Sequence, residues 1–308
     1  MLPFCRFFGL FWILACLVSS CHKDQLGANY DLRAARNPPS SALALESWIG
    51  PENPRDSAEI PFGLVPLTQR QPSVIISRSQ YLSSWNEDTR LINWTSWVVS
   101  QADLGHEKRS PNFIQDKDLD TYLSPSGKNA VVTAEYNGTC FDRGHQVPSK
   151  DRTDNPDNNE ATFLMSNIIP QTSFLNRLVW ERLESATRDL LETEPDSHIW
   201  VLAGPIFTQK IRFTGSHGDI AVPDANFKIV VDLGSRPSIK PKLIAAVIMP
   251  NVTSTGDDPV GNNAAACNDR EGQTVGGLSR DWHDYEVGLT QIETEAGIDL
   301  GSVNSALE

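Results

Sequence analysis

A histidine in a short polar segment is the first residue whose type and setting could support catalysis. The segment reads Asp142-Arg143-Gly144-His145-Gln146, and a helical pattern begins roughly thirty residues after it. A neutral imidazole can accept a proton, and a guanidinium can bind phosphate oxygens, so the pair suits phosphodiester cleavage. We interpret Gly144 as part of a tight turn that aims both side chains at one point. The alternative is a polar surface turn with a structural histidine.

Residues 173–192 have the apolar spacing of three and four that predicts an amphipathic helix. At intervals of four, this run carries Asn176, Trp180, Glu184 and Arg188. An amide, a carboxylate and a guanidinium along one stripe could bind a metal ion and a phosphate, although a solvated face with a Glu–Arg pair has the same pattern. Asn176 and Glu184 are two turns apart, about 12 Å along a helix axis. Both side chains therefore cannot easily bind one metal directly.

The elements that must position these residues are mostly strands. Apolar and β-branched runs bounded by turn residues predict strands at 73–77, 81–86, 94–99, 198–203, 227–233 and 243–249. Strands and helices follow one another in an irregular order, which favours an α+β fold over an alternating parallel sheet. We expect a central, mainly antiparallel sheet flanked by helices.

The N-terminus predicts export. Arg6 precedes a short apolar core, which ends at Val18-Ser19-Ser20-Cys21. This core is too short to span a bilayer comfortably, and small residues before a cysteine are typical of a lipoprotein signal. We therefore expect a signal peptide at residues 1–20, an acylated Cys21, and a lipid-anchored protein in the periplasm or on the outer cell surface. An ordinary secretory peptide, with Cys21 incidental, is the alternative.

Composition divides the remainder into two parts. Residues 21–71 are rich in Pro, Ser and Ala, which predicts a flexible tether, and residues 72–308 form the predicted compact domain. Within this domain only Cys140 and Cys267 are cysteines, so an exported chain could form one disulfide or leave both free. The formal net charge of −13 argues against a generic basic nucleic-acid coat, but local arginines could still bind phosphate.

Several ordered motifs together resemble those of the DNA/RNA non-specific endonucleases, a family of the ββα-metal or His-Me finger superfamily. The resemblance covers about residues 72–300. The motifs are Asp142-Arg143-Gly144-His145-Gln146-x-Pro148, Ser166-Asn167-Ile168-x-Pro170-Gln171, Asn176-x-x-x-Trp180-x-x-Leu183-Glu184, Leu202-x-Gly204-Pro205-Ile206-Phe207, Phe227-Lys228 and Val247-Ile248-Met249-Pro250-Asn251.

The resemblance implies a division of roles and a ββα-metal motif. His145 corresponds to the general base that activates water, and Asn176 to the single direct protein ligand of the metal. Glu184 corresponds to the residue that contacts the metal through water. Mg²⁺ is the implied ion, with Mn²⁺ as a possible substitute, because a lone amide oxygen suits a hard cation that keeps several waters.

The same resemblance assigns positions around the phosphate. Arg143, Arg188 and Arg109 correspond to its cationic residues, while Asp142 and Gly144 would support the loop. The implied activity is Mg²⁺-dependent, sugar-non-specific cleavage of DNA and RNA to 5′-phosphate and 3′-hydroxyl ends. Two alternatives stay open: a catalytically silent nuclease-like binding module, and a phosphodiesterase acting on another substrate. A possible homodimer and an unidentified inhibitor protein complete the expected partners.

Overall fold

The computed structural model describes residues 48–51, 53–69, 71–208, 210–236, 238–259, 267, 269 and 277–308. The predicted signal peptide and Cys21 lie outside the described residues, as does the tether up to residue 47. Among the helices that are described, none combines the length and the apolar composition needed to cross a bilayer.

A seven-stranded sheet forms the centre of the molecule. Its order is β1-β2-β3-β4-β7-β10-β11, and β1–β2 is its one parallel pair among the described residues. This confirms the expected α+β class with a mainly antiparallel sheet. The strands are β1 (Trp48–Ile49), β2 (Ser73–Ser77), β3 (Leu82–Asn86), β4 (Leu91–Ser100), β7 (His198–Ile206), β10 (Ala225–Asp232) and β11 (Lys242–Pro250).

Both faces of this sheet are covered, which explains why its central strands are almost continuously apolar. Along β10, Phe227 and Ile229 pack with the C-terminal helices, whereas Val230 packs with the predicted active-site helix. Lys228 lies on the same face as Val230, because side chains alternate along a strand. This places one lysine inside an otherwise apolar layer.

Two short ladders and five α-helices surround the sheet in the described residues. The ladders pair β5 (Asp142–His145) with β6 (Ile168–Gln171) and β8 (Arg212–Thr214) with β9 (Ile220–Val222). The helices are α1 (Lys117–Leu123), α2 (Pro156–Ala161), α3 (Glu181–Thr193), α4 (Leu289–Ala296) and α5 (Gly301–Leu307).

The predicted helix at 173–192 is not uniform. Leu175–Trp180 is a π-helix that runs directly into α3. In a π-helix the hydrogen bonds span five residues instead of four, so side chains four apart no longer lie on the stripe that an α-helix would give them. Trp180 accordingly turns into the core and is 1% exposed, while Asn176 remains half-buried. The predicted α-helix therefore begins as a π-helix, while Trp180 and Glu184 still share a face, since both contact Lys228.

The predicted tether does not extend to residue 71. Trp48–Ile49 adds a parallel strand to the sheet edge, and Ile60 and Val65 are buried in the core beside the C-terminal helices. Leu67 forms a β-bridge with Ile298. Scattered apolar residues between prolines gave no period that sequence reasoning could detect, and only contact with the C-terminal segment buries them.

Candidate active site

The His145 segment is a strand, contrary to the predicted turn. In the β5–β6 ladder, Gly144 lies opposite Ile169 and has no positive φ. Its glycine is explained by close packing: a Cβ at this position would lie 2.0 Å from Oε1 and 2.6 Å from Cγ of Gln171. Gly144 thus lets the Gln171 side chain cross the strand that carries the histidine.

His145 is enclosed by aromatic rings. Its ring lies edge-on to Phe163 at 4.8 Å and tilted against Phe113 at 5.3 Å, and the residue is 8% exposed. Burial, together with the nearby Arg109 guanidinium, lowers the pKa of His145 to about 3. The imidazole is therefore neutral near pH 7. Its Nε2 is buried without a hydrogen-bond partner among the described residues, and such orphaned atoms are typical of functional sites.

Two guanidiniums lie against the aromatic platform that Phe113 and Phe163 form. Arg109 lies over the Phe163 ring at 4.9 Å and donates to the Ser149 hydroxyl at 3.1 Å. Arg143 lies 5.5 Å from the Phe113 ring centroid and donates to the Thr133 carbonyl at 3.1 Å.

Neither guanidinium has a carboxylate within ion-pair distance among the described residues. Burial lowers the pKa of Arg109, partly offset by the Glu184 carboxylate. Both cations are thus available to an anion.

Asn176 is fixed to the histidine strand by Asp142. The Asn176 Nδ2 donates to Asp142 Oδ2 at 2.9 Å, and Arg177 donates to both oxygens of the same carboxylate at 2.7 Å. Because its nitrogen is bound to Asp142, the amide must direct Oδ1 elsewhere. This geometry suits a side chain that offers one oxygen to a hard cation. It also gives Asp142 a defined supporting contact.

Glu184 lies at the boundary between the core and this site. Its side chain is 11% exposed, and its Oε1 accepts from the Nζ of Lys228 at 3.3 Å. Burial raises the pKa of Glu184, while the Lys228 ammonium acts in the opposite direction. Burial likewise lowers the pKa of Lys228, opposed by Glu184. The two groups are therefore coupled.

Arg188 is mostly buried and already paired, unlike an arginine that is free to bind a phosphate. Its side chain is 12% exposed, and it donates to Asp151 Oδ1 at 2.9 Å. The other oxygen of Asp151 accepts from Trp97 Nε1 at 3.0 Å. With its charge already paired, Arg188 is better placed to fix the surroundings of Glu184 than to bind an anion alone.

The structure therefore brings most of the predicted residues into one region. Arg109 interacts electrostatically with both His145 and Glu184, and Arg143 shares the Phe113 platform with His145. Sequence reasoning missed the residues that hold these groups in place. They are Phe113, Phe163, Asp151, Trp97, Arg177 and Lys228. A signal existed for Lys228 alone, since Phe227-Lys228 was among the matched motifs.

A second group of potential metal ligands lies near Arg143. Glu135, His217 and Asp219 offer atoms within 4.8 Å of one another. The Arg90 guanidinium, however, donates to both Glu135 and Asp219 at 2.6 Å. A cation is already in this cluster, so it is better explained as an ion-pair network than as a metal site.

Cys140 and Cys267 form a disulfide whose Cα atoms are 4.6 Å apart, across 127 positions of sequence. Cys140 adopts a positive φ of 63° two residues before β5. The bond therefore ties the entry of the histidine strand to a segment far along the chain.

Comparisons with known proteins find nuclease relatives of this chain. Residues 64–305 match a family described as DNA/RNA non-specific endonuclease. A nuclease from a Nostoc species is 32% identical over 247 residues, which cover 78% of this chain and 77% of that protein. The human protein "Endonuclease G, mitochondrial" is 26% identical over 189 residues, covering 57% of this chain and 59% of its own length.

A solved structure shows the same fold. It is reported as the EndoG/EndoGI complex with the mechanism of EndoG inhibition, and it superposes with a TM-score of 0.59 at 20% identity. The match covers 81% of this chain and 92% of the solved one.

Proposed function

Because the chain belongs to the DNA/RNA non-specific endonuclease family, we propose that it cleaves both polymers with His145 as the general base and Asn176 as the direct metal ligand. Membership makes it a hydrolytic nuclease. The identity of the metal, the roles of the individual residues and the chemistry of the product ends are what we propose.

One observation carries it. A neutral, buried imidazole packs against Phe113 and Phe163, and the same two rings contact the guanidiniums of Arg143 and Arg109, neither of which has a carboxylate partner among the described residues. A base needs to be unprotonated, and a phosphate needs unpaired cations that can bind it through two oxygens. Both requirements are met within one aromatic platform. These two arginines could bind a phosphate locally although the chain as a whole is acidic.

The residues present fit a divalent cation. Asn176 is oriented by Asp142 so that its oxygen is the free end, and Glu184 supplies a nearly buried carboxylate for a contact through water. When bound, Mg²⁺ would neutralise charge on a phosphate oxygen and on the departing 3′ oxygen. His145 takes a proton from water, the arginines balance the phosphate charge, and Asp142 keeps the amide in one orientation. The oxygen of that water bonds to phosphorus as the bond from phosphorus to the 3′ oxygen breaks, and the 3′ oxygen takes a proton from solvent, which leaves 5′-phosphate and 3′-hydroxyl ends.

The substrate breadth follows from the kinds of contact available. Arginine side chains recognise phosphate, which DNA and RNA share, and such contacts carry no direct sequence information. We therefore propose cleavage of both polymers with little sequence preference.

The test is incubation of the purified protein with supercoiled plasmid and with RNA, in Mg²⁺, in Mn²⁺ and in EDTA. We expect cleavage of both polymers with metal and none with EDTA. His145→Ala should lose about 10²- to 10⁴-fold in kcat, whereas His283→Ala, an exposed histidine paired with Asp281, should retain activity. Absence of cleavage with every divalent metal would refute the proposal. End-labelling of the products with polynucleotide kinase, before and after phosphatase, tests the 5′-phosphate.

We also propose that the protein is exported and anchored by a lipid on Cys21. The support is the sequence pattern of residues 1–21, an apolar core followed by small residues and a cysteine. Metabolic labelling with palmitate should mark the wild-type protein and not Cys21→Ser. Equal labelling of the two would exclude this cysteine as the anchor.

A further inference from the structure

Lys228 is a buried cation directly beneath the candidate active site. It lies in β10 between Ala203 of β7 and Val247 of β11, and its side chain is 2% exposed. Its Nζ lies 3.3 Å from Oε1 of Glu184. A buried charge is costly unless it is paired, so each of these two groups constrains the other.

Aromatic rings determine where the ammonium can sit. The Nζ lies 4.0 Å from the Trp180 ring centroid and 5.9 Å from that of Trp97. Cation–π attraction to two indoles stabilises the ammonium away from water. The indole N–H of Trp97 is meanwhile bound to Asp151. The ammonium is therefore held against the two indoles, and Glu184 of α3 contacts it at 3.3 Å.

The charges around this pair are balanced within the described residues. Glu184 and Asp151 both stabilise the ammonium, while Arg188 opposes it and is itself paired with Asp151. Glu184 in turn acts on the guanidinium of Arg109, which is partly exposed beside His145. Glu184 thus links a cation in the core to a cation at the surface.

Stability alone does not require a lysine at this position. Apolar residues of similar volume often replace a buried ion pair without loss of stability, whereas loss of one partner leaves an uncompensated charge. Trp97, Trp180 and Val230 would give an apolar side chain at this position apolar neighbours.

We propose that Lys228 is a positioning residue of the nuclease reaction, which holds the Glu184 carboxylate in place through the 3.3 Å contact between Nζ and Oε1. The inference rests on the proposed role of Glu184 in catalysis. Lys228 itself does not touch the substrate. Removal of its charge should therefore impair turnover through Glu184 and through no other route.

The experiment compares Lys228→Met, Glu184→Gln and the double variant in the plasmid assay with Mg²⁺. Lys228→Met should lose about 10- to 100-fold in kcat, as removal of a partner behind a metal-site residue typically does, with KM nearly unchanged. In the Glu184→Gln background the same substitution should have almost no further effect, because its target is gone. Lys242→Met, an exposed lysine on the adjacent strand, is the matched control and should match wild type.

Two results would overturn the inference. One is full activity of folded Lys228→Met, and the other is an equal loss from Lys228→Met with and without the Glu184 carboxylate. If Lys228→Met does not fold, the double variant still decides the question, because it leaves no unpaired charge. If the double variant is then far less active than Glu184→Gln alone, Lys228 does not act through Glu184 and the inference is refuted.

A spectroscopic readout separates this inference from the proposed function. The ¹³C resonance of the Glu184 carboxyl, assigned by its loss in Glu184→Gln and recorded without metal, should shift in Lys228→Met, which removes the neighbouring ammonium, and stay at its wild-type position in Lys242→Met. An inactive wild type would refute the nuclease assignment of these residues, yet the resonance would still test the Lys228–Glu184 coupling. An unchanged resonance in folded Lys228→Met would overturn it.

Discussion

Gly144→Ala should destabilise the protein by collision with a side chain and without any strain in φ. The added Cβ would lie 2.0 Å from Oε1, 2.4 Å from Cδ and 2.6 Å from Cγ of Gln171. A clash that reaches Cγ cannot be relieved by rotation of the terminal amide alone, and Gln171 is 0% exposed, so the strand must move. Overpacking of this kind costs about 1–3 kcal/mol. For a domain of this size, that cost lowers Tm by roughly 2–12 °C.

The kcat of Gly144→Ala should fall by more than its loss of stability would explain. The displaced strand carries His145, and a displacement of about 1 Å at a reacting group can cost on the order of 10²-fold in rate. The assay is Tm by circular dichroism together with kcat on plasmid DNA, both measured at a temperature where the variant is folded. We expect kcat to fall while the secondary-structure spectrum is unchanged.

Gln171→Ala provides the decisive comparison. The Gln171 side-chain amide has no hydrogen-bond partner among the described residues, so its truncation breaks no such bond and creates room for the new Cβ. Gly144→Ala combined with Gln171→Ala should therefore recover most of the lost Tm relative to Gln171→Ala alone. If the double variant shows no recovery, the glycine is required by the backbone, as a turn would demand, and the packing argument is refuted.

Three further predictions concern the support of the site. Asp142→Ala should free the amide of Asn176 and raise the Mg²⁺ concentration for half-maximal activity by about 10- to 100-fold, and an unchanged metal titration would contradict that role. The pKa of His145 is lowered to about 3, below its unfolded value of about 6.5; the stability that this group contributes is therefore complete above pH 6.5 and is lost as pH falls towards 3. Tm between pH 7 and 4 should accordingly decline more steeply in wild type than in His145→Ala, and equal slopes would contradict the buried neutral state. Because the same shift keeps His145 neutral through pH 6–7, kcat should not fall in that range through protonation of His145. A fall in kcat with a midpoint in that range would place the pKa of His145 near its ordinary value. Reduction of Cys140–Cys267 should lower Tm, since a long closed loop typically contributes about 2–4 kcal/mol, and a thermal melt with and without reductant measures it.

The sequence by itself determined the family, the sheet and the identity of most candidate residues. Alternating and β-branched runs locate strands because burial on a pleated surface selects them locally, and β2 (Ser73–Ser77) was predicted at its observed bounds. Motifs spread between Asp142 and Asn251 carried the functional assignment, since residues such as His145 and Asn176 must be of one chemical type to do their work.

Tertiary structure decided how those residues are held. Gly144 is a glycine because Gln171 crosses it, a contact between neighbouring strands that no local pattern encodes. The π-helix at Leu175–Trp180 carries Trp180 onto Lys228, a lysine that also contacts Glu184. Whether a charged residue is paired depends on which distant segments fold against it. For this reason only the structure distinguishes Arg188, which is paired with Asp151, from Arg109, which has no carboxylate within ion-pair distance in the described part of the chain.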